Sequence, residues 1–212
     1  MSETTTGFAP ELAAARYTYQ HVIEDVFGRP HELETPRLLL RRVTPADLDD
    51  LYAYTSDPEV VSTLPLLRIE TLEQARNFLD EYLMLYRTSQ VAPWGVTLKA
   101  TGEHIGMCGY ENWGPRSDRA ELGFMLAHQH WRKGYTTEAT RAVVAFGFET
   151  MRLNRIEAKT QPANIGARRV LEKVGFQCEG RLRENMYWKG AYHDLDMYAL
   201  LHREYSPDKE SP

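Results

Sequence analysis

Apolar residues recur along this chain in two different spacings, which alternate from one segment to the next. Repeats of three and four residues predict amphipathic helices, whereas short β-prone runs bounded by turn residues predict strands. Helices are predicted at 10–27, 44–54, 71–88, 135–151 and 164–175, with a short one after Asp57. Strands are predicted at 37–43, 94–99, 104–112, 119–126, 155–160, 177–187 and 192–201.

The predicted helix ends carry signals of their own. Thr44 and Pro45 supply a cap and a first-turn proline, and Asn164 is a strong N-cap for a later helix. Gly175 offers the left-handed position that ends that helix. A strand and helices come first, then three antiparallel strands, then helix, strand, helix and two strands. This order predicts an α/β fold with a mixed central sheet flanked by helices.

Composition narrows the class of protein without naming an activity. A chain of 212 residues, 42% hydrophobic and 26% charged, fits one globular domain. The net charge of −5 gives no broad basic surface, so no nucleic-acid partner is expected. The apolar run at 142–148 is far too short to span a membrane, and the first residues do not resemble a secretion signal. We therefore expect a cytoplasmic protein without a membrane partner, in which Cys108 and Cys178 are buried thiols.

The segment HQHWRKGYTTEATRAVV at 128–144 carries the sharpest chemical signal. A strand end passes through Arg132, Lys133 and Gly134 directly into a helix, whose first N–H groups can bind a diphosphate. The spacings of the Walker loop and of the dinucleotide fingerprint are both missing at this junction. A solvated connection without a ligand is the alternative for this segment taken alone.

This run resembles motif A of the GNAT superfamily, in the WxKGYxTEA version of the RimJ/RimL-like branch of ribosomal-protein N-terminal acetyltransferases. Two residues depart from the pattern, because Arg132 stands where this branch often has glycine and Thr136 replaces glycine or alanine. The resemblance implies a GNAT fold, splayed open between the strands at 119–126 and 155–160, that binds acetyl-CoA. On the loop, it assigns cofactor binding to Trp131, Arg132, Lys133, Gly134, Tyr135 and Thr136.

Two further runs match the same branch. NIGARRVLEKVGF at 164–176 resembles the motif whose asparagine contacts the pantetheine arm, which assigns Asn164 and Lys173 to cofactor binding. An N-cap asparagine needs no ligand, however, so capping alone also explains Asn164. Family members usually have a serine where this chain has Ala167, and a methyl group cannot protonate a leaving thiolate.

RAELGFML at 119–126 resembles the strand whose backbone binds pantetheine, which adds Leu122, Phe124, Met125 and Leu126 to the cofactor site. Glu121 is a candidate base for a protonated amine, with an ordinary salt bridge as the alternative. Tyr187 and Tyr110 are candidate donors to the thiolate, with packing at the rim as the alternative for each.

The predicted activity is therefore N-acetyltransfer from acetyl-CoA to a primary amine, at a protein N-terminus or on a small molecule. No metal is expected, because His128 and His130 have no nearby cysteine or carboxylate in the sequence. The predicted domain covers 35–203, after an N-terminal extension at 1–34 and before a flexible tail at 204–212. Two alternatives stay open: a non-catalytic acyl-CoA sensor, and an interaction module that uses the helix at 10–27. We expect the protein to be a monomer or a homodimer.

Overall fold

Eight strands form one mixed sheet among residues 23–206, the part of the chain that the computed structural model describes. The strands are β1 Leu33–Glu34, β2 Leu38–Arg41, β3 Trp94–Leu98, β4 His104–Gly114, β5 Arg119–Leu126, β6 Arg155–Thr160, β7 Gln177–Trp188 and β8 Ala191–Leu201. The helices are α1 Leu48–Thr55, α2 Pro58–Val61, α3 Leu72–Arg87, α4 Tyr135–Glu149 and α5 Ile165–Val174. The predicted α/β class with a mixed sheet is confirmed.

The sheet joins two antiparallel halves through one parallel pair. Strands β1 to β5 are each antiparallel to the next, and β6, β8 and β7 form a second antiparallel group in that spatial order. The parallel pair is β5 with β6. Because β5 and β6 run in the same direction, their carboxyl ends lie at the same edge of the sheet, next to the start of α4.

Helices cover both faces of the sheet, and each face has its own core. On one face, Val143 of α4 and Leu171 of α5 pack with Leu122 of β5. On the other face, Leu51 of α1 and Leu79 of α3 pack in a cluster that includes Met107 of β4. Side chains alternate across a strand, so neighbouring residues of β4 and β5 contribute to opposite cores.

The region before β2 belongs to the packed structure. Residues 23–27 are helical, and the buried Phe27 ring lies 6.2 Å from Trp94 and 6.1 Å from Trp113 between ring centroids. The short strand β1, absent from the sequence prediction, pairs with β2. The first part of the predicted helix at 10–27 lies outside the described residues, as does most of the predicted tail.

The prediction for one cysteine is wrong. Cys108 is buried, and burial raises its pKa to about 12, but Cys178 is exposed. Cys178 lies on β7, which forms an edge of the sheet and is exposed along nearly all its length. No helix within residues 23–206 combines the length and the apolar character that crossing a membrane requires.

Candidate active site

The loop between β5 and α4 turns at two left-handed residues. Arg132 has a φ of +61° and Gly134 a φ of +83°, which glycine adopts without a side-chain clash. Before the turn, Trp131 donates a hydrogen bond of 2.8 Å from Nε1 to the Leu126 carbonyl. This bond ties the beginning of the loop to the end of β5, while residues 131–134 remain exposed to solvent.

Helix α4 begins directly after Gly134, and no side chain within the described residues caps it. The first N–H groups of a helix have no intrahelical acceptor, and they carry the positive end of the helix dipole. Arg132 and Lys133 are exposed beside this end. The local charge therefore favours an anion at the first turn of α4.

A hydrogen-bonded group holds this first turn against the segment before β2. Glu138 Oε1 accepts from Thr35 Oγ1 at 2.6 Å, and Glu138 Oε2 accepts from Arg37 Nε at 2.6 Å. Arg37 Nη1 also donates to the Lys133 carbonyl at 3.0 Å. Burial alone would raise the pKa of Glu138, but the hydrogen bonds from Thr35 and Arg37 outweigh it and lower that pKa. These bonds fix the loop in place, and none of them involves the first N–H groups of α4.

Strands β5 and β6 separate toward their carboxyl ends. Their pairing stops at Glu121↔Glu157, although β5 continues to Leu126 and β6 to Thr160. The backbone at 122–126 is therefore unpaired on the side that faces β6. This gap agrees with the splay expected between the two strands, and it opens beside the start of α4.

The side chains of β5 divide between the two faces. Leu122 and Leu126 are buried in the core beneath α4, and Phe124 packs against that core. Met125 packs against the core on the other face. Leu122 and Leu126 can therefore offer a ligand in the gap mainly their backbone groups.

Asn164 occupies the N-cap of α5 and uses both ends of its amide. Its Oδ1 accepts from Ala167 N at 3.0 Å, and its Nδ2 donates to Thr63 Oγ1 at 2.9 Å. Capping is thus confirmed. Lys173 lies exposed near the other end of α5, where its carbonyl accepts from Arg141 of α4 at 3.3 Å.

Glu121, the candidate base, stands at the last residue pair before the gap. Its Oε2 accepts a hydrogen bond of 3.0 Å from Lys159 Nζ, and both side chains are partly buried. The salt bridge weighed as the alternative at this position is present. An amine would have to share that carboxylate oxygen with Lys159 or displace Lys159 from it.

A cavity of 210 Å³ lies over β5, on the face that α3 covers. Its outer wall includes Leu64, Leu66, Phe78 and Tyr82, and its floor includes Met107 and Gly123 to Met125. Most of this surface is apolar.

Glu111 supplies a carboxylate to this cavity, and the sequence analysis missed it. Tyr110 pairs with Leu122 and Asn112 pairs with Glu121, which leaves Glu111 as the extra residue of a β-bulge. A Cβ atom at position 123 would overlap the Glu111 carboxylate, so the close approach requires Gly123. The alternating pattern of β4 gave no signal for a bulge.

The surroundings of Glu111 favour its protonated form. Lost hydration and the nearby Glu121 charge raise the pKa of Glu111 above its ordinary value, against a smaller opposing effect of Lys159. No hydrogen bond or ion pair joins the Glu111 carboxylate to another side chain within residues 23–206. Glu111 as a whole residue is nonetheless exposed to solvent, so lost hydration acts on the part of its side chain that lies over Gly123.

The two candidate tyrosines occupy different environments. Tyr110 is fully buried, and its hydroxyl donates to the Val143 carbonyl at 2.9 Å, so it does not fit the role of a donor to a thiolate. Tyr187 is exposed on the β7–β8 hairpin, with its ring 5.0 Å from that of Tyr192. The structure does not bring Tyr187 into the cavity over β5.

The two histidines of the loop each have an acidic neighbour that is distant in sequence. His130 Nε2 lies 3.0 Å from Glu103 Oε1, and His128 Nδ1 lies 3.6 Å from Asp57 Oδ2. Both belong to a 3-10 helix at His128–His130 rather than to a strand end. Residues 23–206 contain no group of three or more histidine, cysteine or acidic side chains arranged to hold a metal ion.

Comparison with known proteins identifies the family. Residues 37–177 match the family described as an acetyltransferase (GNAT) domain. The chain is 37% identical over 174 residues to the uncharacterized N-acetyltransferase p20 of Bacillus licheniformis, covering 82% of this chain and 98% of that protein. It is also 28% identical over 133 residues to the ribosomal-protein-serine acetyltransferase of Escherichia coli strain K12, covering 63% and 73% of the two chains.

Solved structures agree with these sequence matches. The crystal structure of a GNAT-family acetyltransferase from Bacillus anthracis superposes with a TM-score of 0.73 at 28% identity, covering 82% of this chain and all of that one. The suspected relation to the RimJ/RimL-like branch is supported by the ribosomal-protein acetyltransferases among the relatives. The uncapped helix start, the gap between β5 and β6 and these matches lead to one conclusion: the chain is an N-acetyltransferase of the GNAT family.

Proposed function

We propose that this enzyme transfers the acetyl group of acetyl-CoA to a primary amine by direct attack, without a covalent enzyme intermediate. The observation that carries the proposal is the uncapped start of α4 behind Gly134, beside the gap between β5 and β6. A helix N-terminus of this kind favours a diphosphate, and the unpaired edge of β5 offers backbone groups to an extended chain.

In this proposal the cofactor runs from the loop into the gap. The diphosphate lies on the N–H groups of Lys133 to Thr136, with Trp131 and Arg132 beside it. The pantetheine arm follows the backbone at 122–126, and Asn164 and Lys173 complete the site from α5. One N–H of the Asn164 amide donates to the Thr63 hydroxyl, which leaves the second N–H of that amide as the donor to the arm.

The chemistry requires mainly positioning. A backbone N–H of β5 stabilises the oxyanion as the amine attacks, and alignment of amine and thioester supplies much of the acceleration. Because Ala167 cannot donate a proton, the thiolate takes its proton from water or from another group. Glu121 as base and Tyr187 as donor stay predictions.

Substitution of Gly134 by aspartate tests whether the start of α4 binds the diphosphate. The new carboxylate would place a negative charge at the anion site, so we expect acetyl-CoA to bind at least about tenfold more weakly. Gly102→Asp is the matched control, because Gly102 has a similar φ of +77° with no atom within 4 Å of an added Cβ. Calorimetry measures both affinities, and thermal melting checks the folding of each variant.

Equal affinity of the Gly134→Asp and Gly102→Asp proteins for acetyl-CoA would contradict this binding site. Turnover is tested separately, by following thiol release from acetyl-CoA in the presence of amines and N-terminal peptides. Tight cofactor binding without thiol release for any acceptor would instead favour an acyl-CoA sensor.

The boundaries of the catalytic domain are part of the proposal. We propose that 35–203 form the catalytic domain, with 1–34 as an extension and 204–212 as a tail. Phe27 and β1 pack with residues beyond that boundary, so a truncation should begin before residue 27. The cytoplasmic location and the monomeric or dimeric state stay predictions.

A further inference from the structure

The cavity over Gly123 opens on the face of the sheet opposite to α4. Its outer wall comes from α3 and from the segment after α2, through Phe78, Tyr82 and Leu66. The cofactor loop leads into α4, which packs on the other face with Leu122. Two molecules can therefore approach β5 from opposite faces and meet at its unpaired edge.

The lining of this cavity combines an apolar wall with a carboxylate. Glu111 is its charged group within the described residues, and no side chain there neutralises it by direct contact. A cavity of about 150 Å³ lined by apolar residues is large enough for benzene. The observed 210 Å³ is therefore large enough for a compact apolar group together with an ammonium at Glu111.

We propose that this cavity binds the acceptor as a primary amine with an apolar group beside its nitrogen, and that Glu111 takes a proton from that nitrogen in place of Glu121, whose carboxylate is paired with Lys159. This inference rests on the proposed acetyl transfer, since it names the acceptor class and the base of the same reaction. A polyhydroxylated or polycationic amine does not match, because the apolar wall would leave its polar groups without partners.

The step balances in atoms and charge. The ammonium gives one proton to the Glu111 carboxylate, and the freed nitrogen lone pair forms the N–C bond with the thioester carbon. The C–S bonding pair leaves on sulfur, and the second nitrogen proton neutralises the resulting thiolate. Glu111 then releases its proton to solvent, which it reaches directly.

A wider cleft of 710 Å³ adjoins the cavity and shares Leu66 and Phe78 with it. Its lining is more polar and includes Arg68, Glu70 and Lys189. Lys189 Nζ donates to the Val61 carbonyl at 2.5 Å, which ties the β7–β8 hairpin to this side of the molecule. The remainder of a longer acceptor therefore has a polar path to solvent beyond its apolar first segment.

Binding can be measured without the cofactor by labelling the methionine methyl groups for NMR. Met107 and Met125 line the cavity, whereas Met84 and Met186 are exposed elsewhere. We expect pentylamine to shift the signals of Met107 and Met125, and 3-methoxypropylamine, of equal length, to bind roughly tenfold more weakly because its ether oxygen is desolvated. Equal affinity of the two amines, or shifts confined to Met84 and Met186, would overturn the proposal.

Glu111→Gln tests the carboxylate, with Glu73→Gln on the exposed face of α3 as the matched control. We expect the first variant to lower kcat with pentylamine by about 100-fold or more, while the control keeps the wild-type value. The acidic limb of the pH profile of kcat/KM reports loss of the proton from Glu111. This limb should disappear only in Glu111→Gln. An unchanged kcat and an unchanged limb would refute the role of Glu111.

These outcomes separate the inference from the proposed function. Loss of the cofactor site would appear in the Gly134→Asp comparison, which involves no amine. If acetyl-CoA alone shifts Met107 and Met125 and excludes pentylamine, the cavity belongs to the acyl donor and this inference fails alone. Should Glu111→Gln not fold, the comparison of the two amines on the wild-type protein still decides.

Discussion

His104 is buried between α1 and the sheet, where its imidazole is held neutral. Its Nε2 lies 3.1 Å from the Tyr54 hydroxyl, and its backbone N–H donates to Asp50 at 2.9 Å. Burial lowers the pKa of His104 to about 4, although the charges of Asp47 and Asp50 oppose this shift. A proton on this ring therefore favours the unfolded chain.

Stability should consequently fall as the pH is lowered from about 6.5 to about 4. In this window the unfolded chain binds a proton at His104 that the folded protein does not, which amounts to about 3 kcal/mol. Urea unfolding across this range measures the effect. His104→Gln should flatten the profile, whereas His202→Gln, at an exposed position, should keep the wild-type slope. Parallel profiles for wild type and His104→Gln would contradict this account.

The position of Glu111 in the cavity does not follow from the sequence pattern. Strand alternation alone predicts Glu121 on the face of the cleft, and the structure gives that residue a partner in Lys159. The bulge that turns Glu111 over Gly123 depends on how β4 and β5 pair. That register follows from contacts between strands, which a single strand pattern does not contain.

At the scale of elements, α5 illustrates how a short sequence specifies a helix. Asn164 caps its start, and Gly175, with a φ of +106°, ends it at the predicted position. These signals act within a few residues of the chain, so the sequence shows them directly. The turn at Lys189 and Gly190 likewise falls between the strands predicted at 177–187 and 192–201.

Two substitutions separate capping by Asn164 from cofactor binding. Asn164→Ala removes both, so we expect a loss of about 1 kcal/mol in unfolding free energy together with weaker acetyl-CoA binding. Asn164→Asp keeps an acceptor for Ala167 N, so stability should recover while the affinity does not. Chemical denaturation and calorimetry measure the two effects. Thr63→Val is the control for loss of the Thr63 contact alone, and full affinity in Asn164→Asp would leave capping as the sole role.

The Cys178 prediction failed at the same scale for a different reason. Residues 177–187 have the composition of a strand, and β7 is indeed a strand. Whether a strand is central or at an edge is decided by the order of strands in the sheet, and β7 is the last of them. Edge position exposes Cys178, and no feature of the neighbouring sequence reports it.

At the scale of the whole molecule, the two substrates of the proposed reaction approach from opposite faces of the sheet. The α4 face holds the loop at 131–134, and the face covered by α3 holds the cavity with Glu111. The two substrates would thus use separate entrances to one point on β5. The backbone amides that acetyl-CoA protects from exchange should therefore differ from those that the amine protects.

Hydrogen exchange followed by mass spectrometry tests this division. Acetyl-CoA should slow exchange at least about tenfold in the first turn of α4, at 134–138, because its phosphates would occupy those N–H groups. The turn at 188–192 serves as an internal control. Equal protection of both segments would indicate a general tightening of the fold and would contradict a localised phosphate site.

The sequence by itself determined the mixed sheet, the family and the elements other than β1, because caps, turns and motif residues act over short stretches of chain. It also located the loop at 131–136 that we propose binds the cofactor, since a glycine between strand and helix is a local feature. The tertiary structure alone decided which carboxylate lies in the cavity and which strand forms the edge. Both depend on strand pairing between segments far apart in sequence, and on the two faces that this pairing creates.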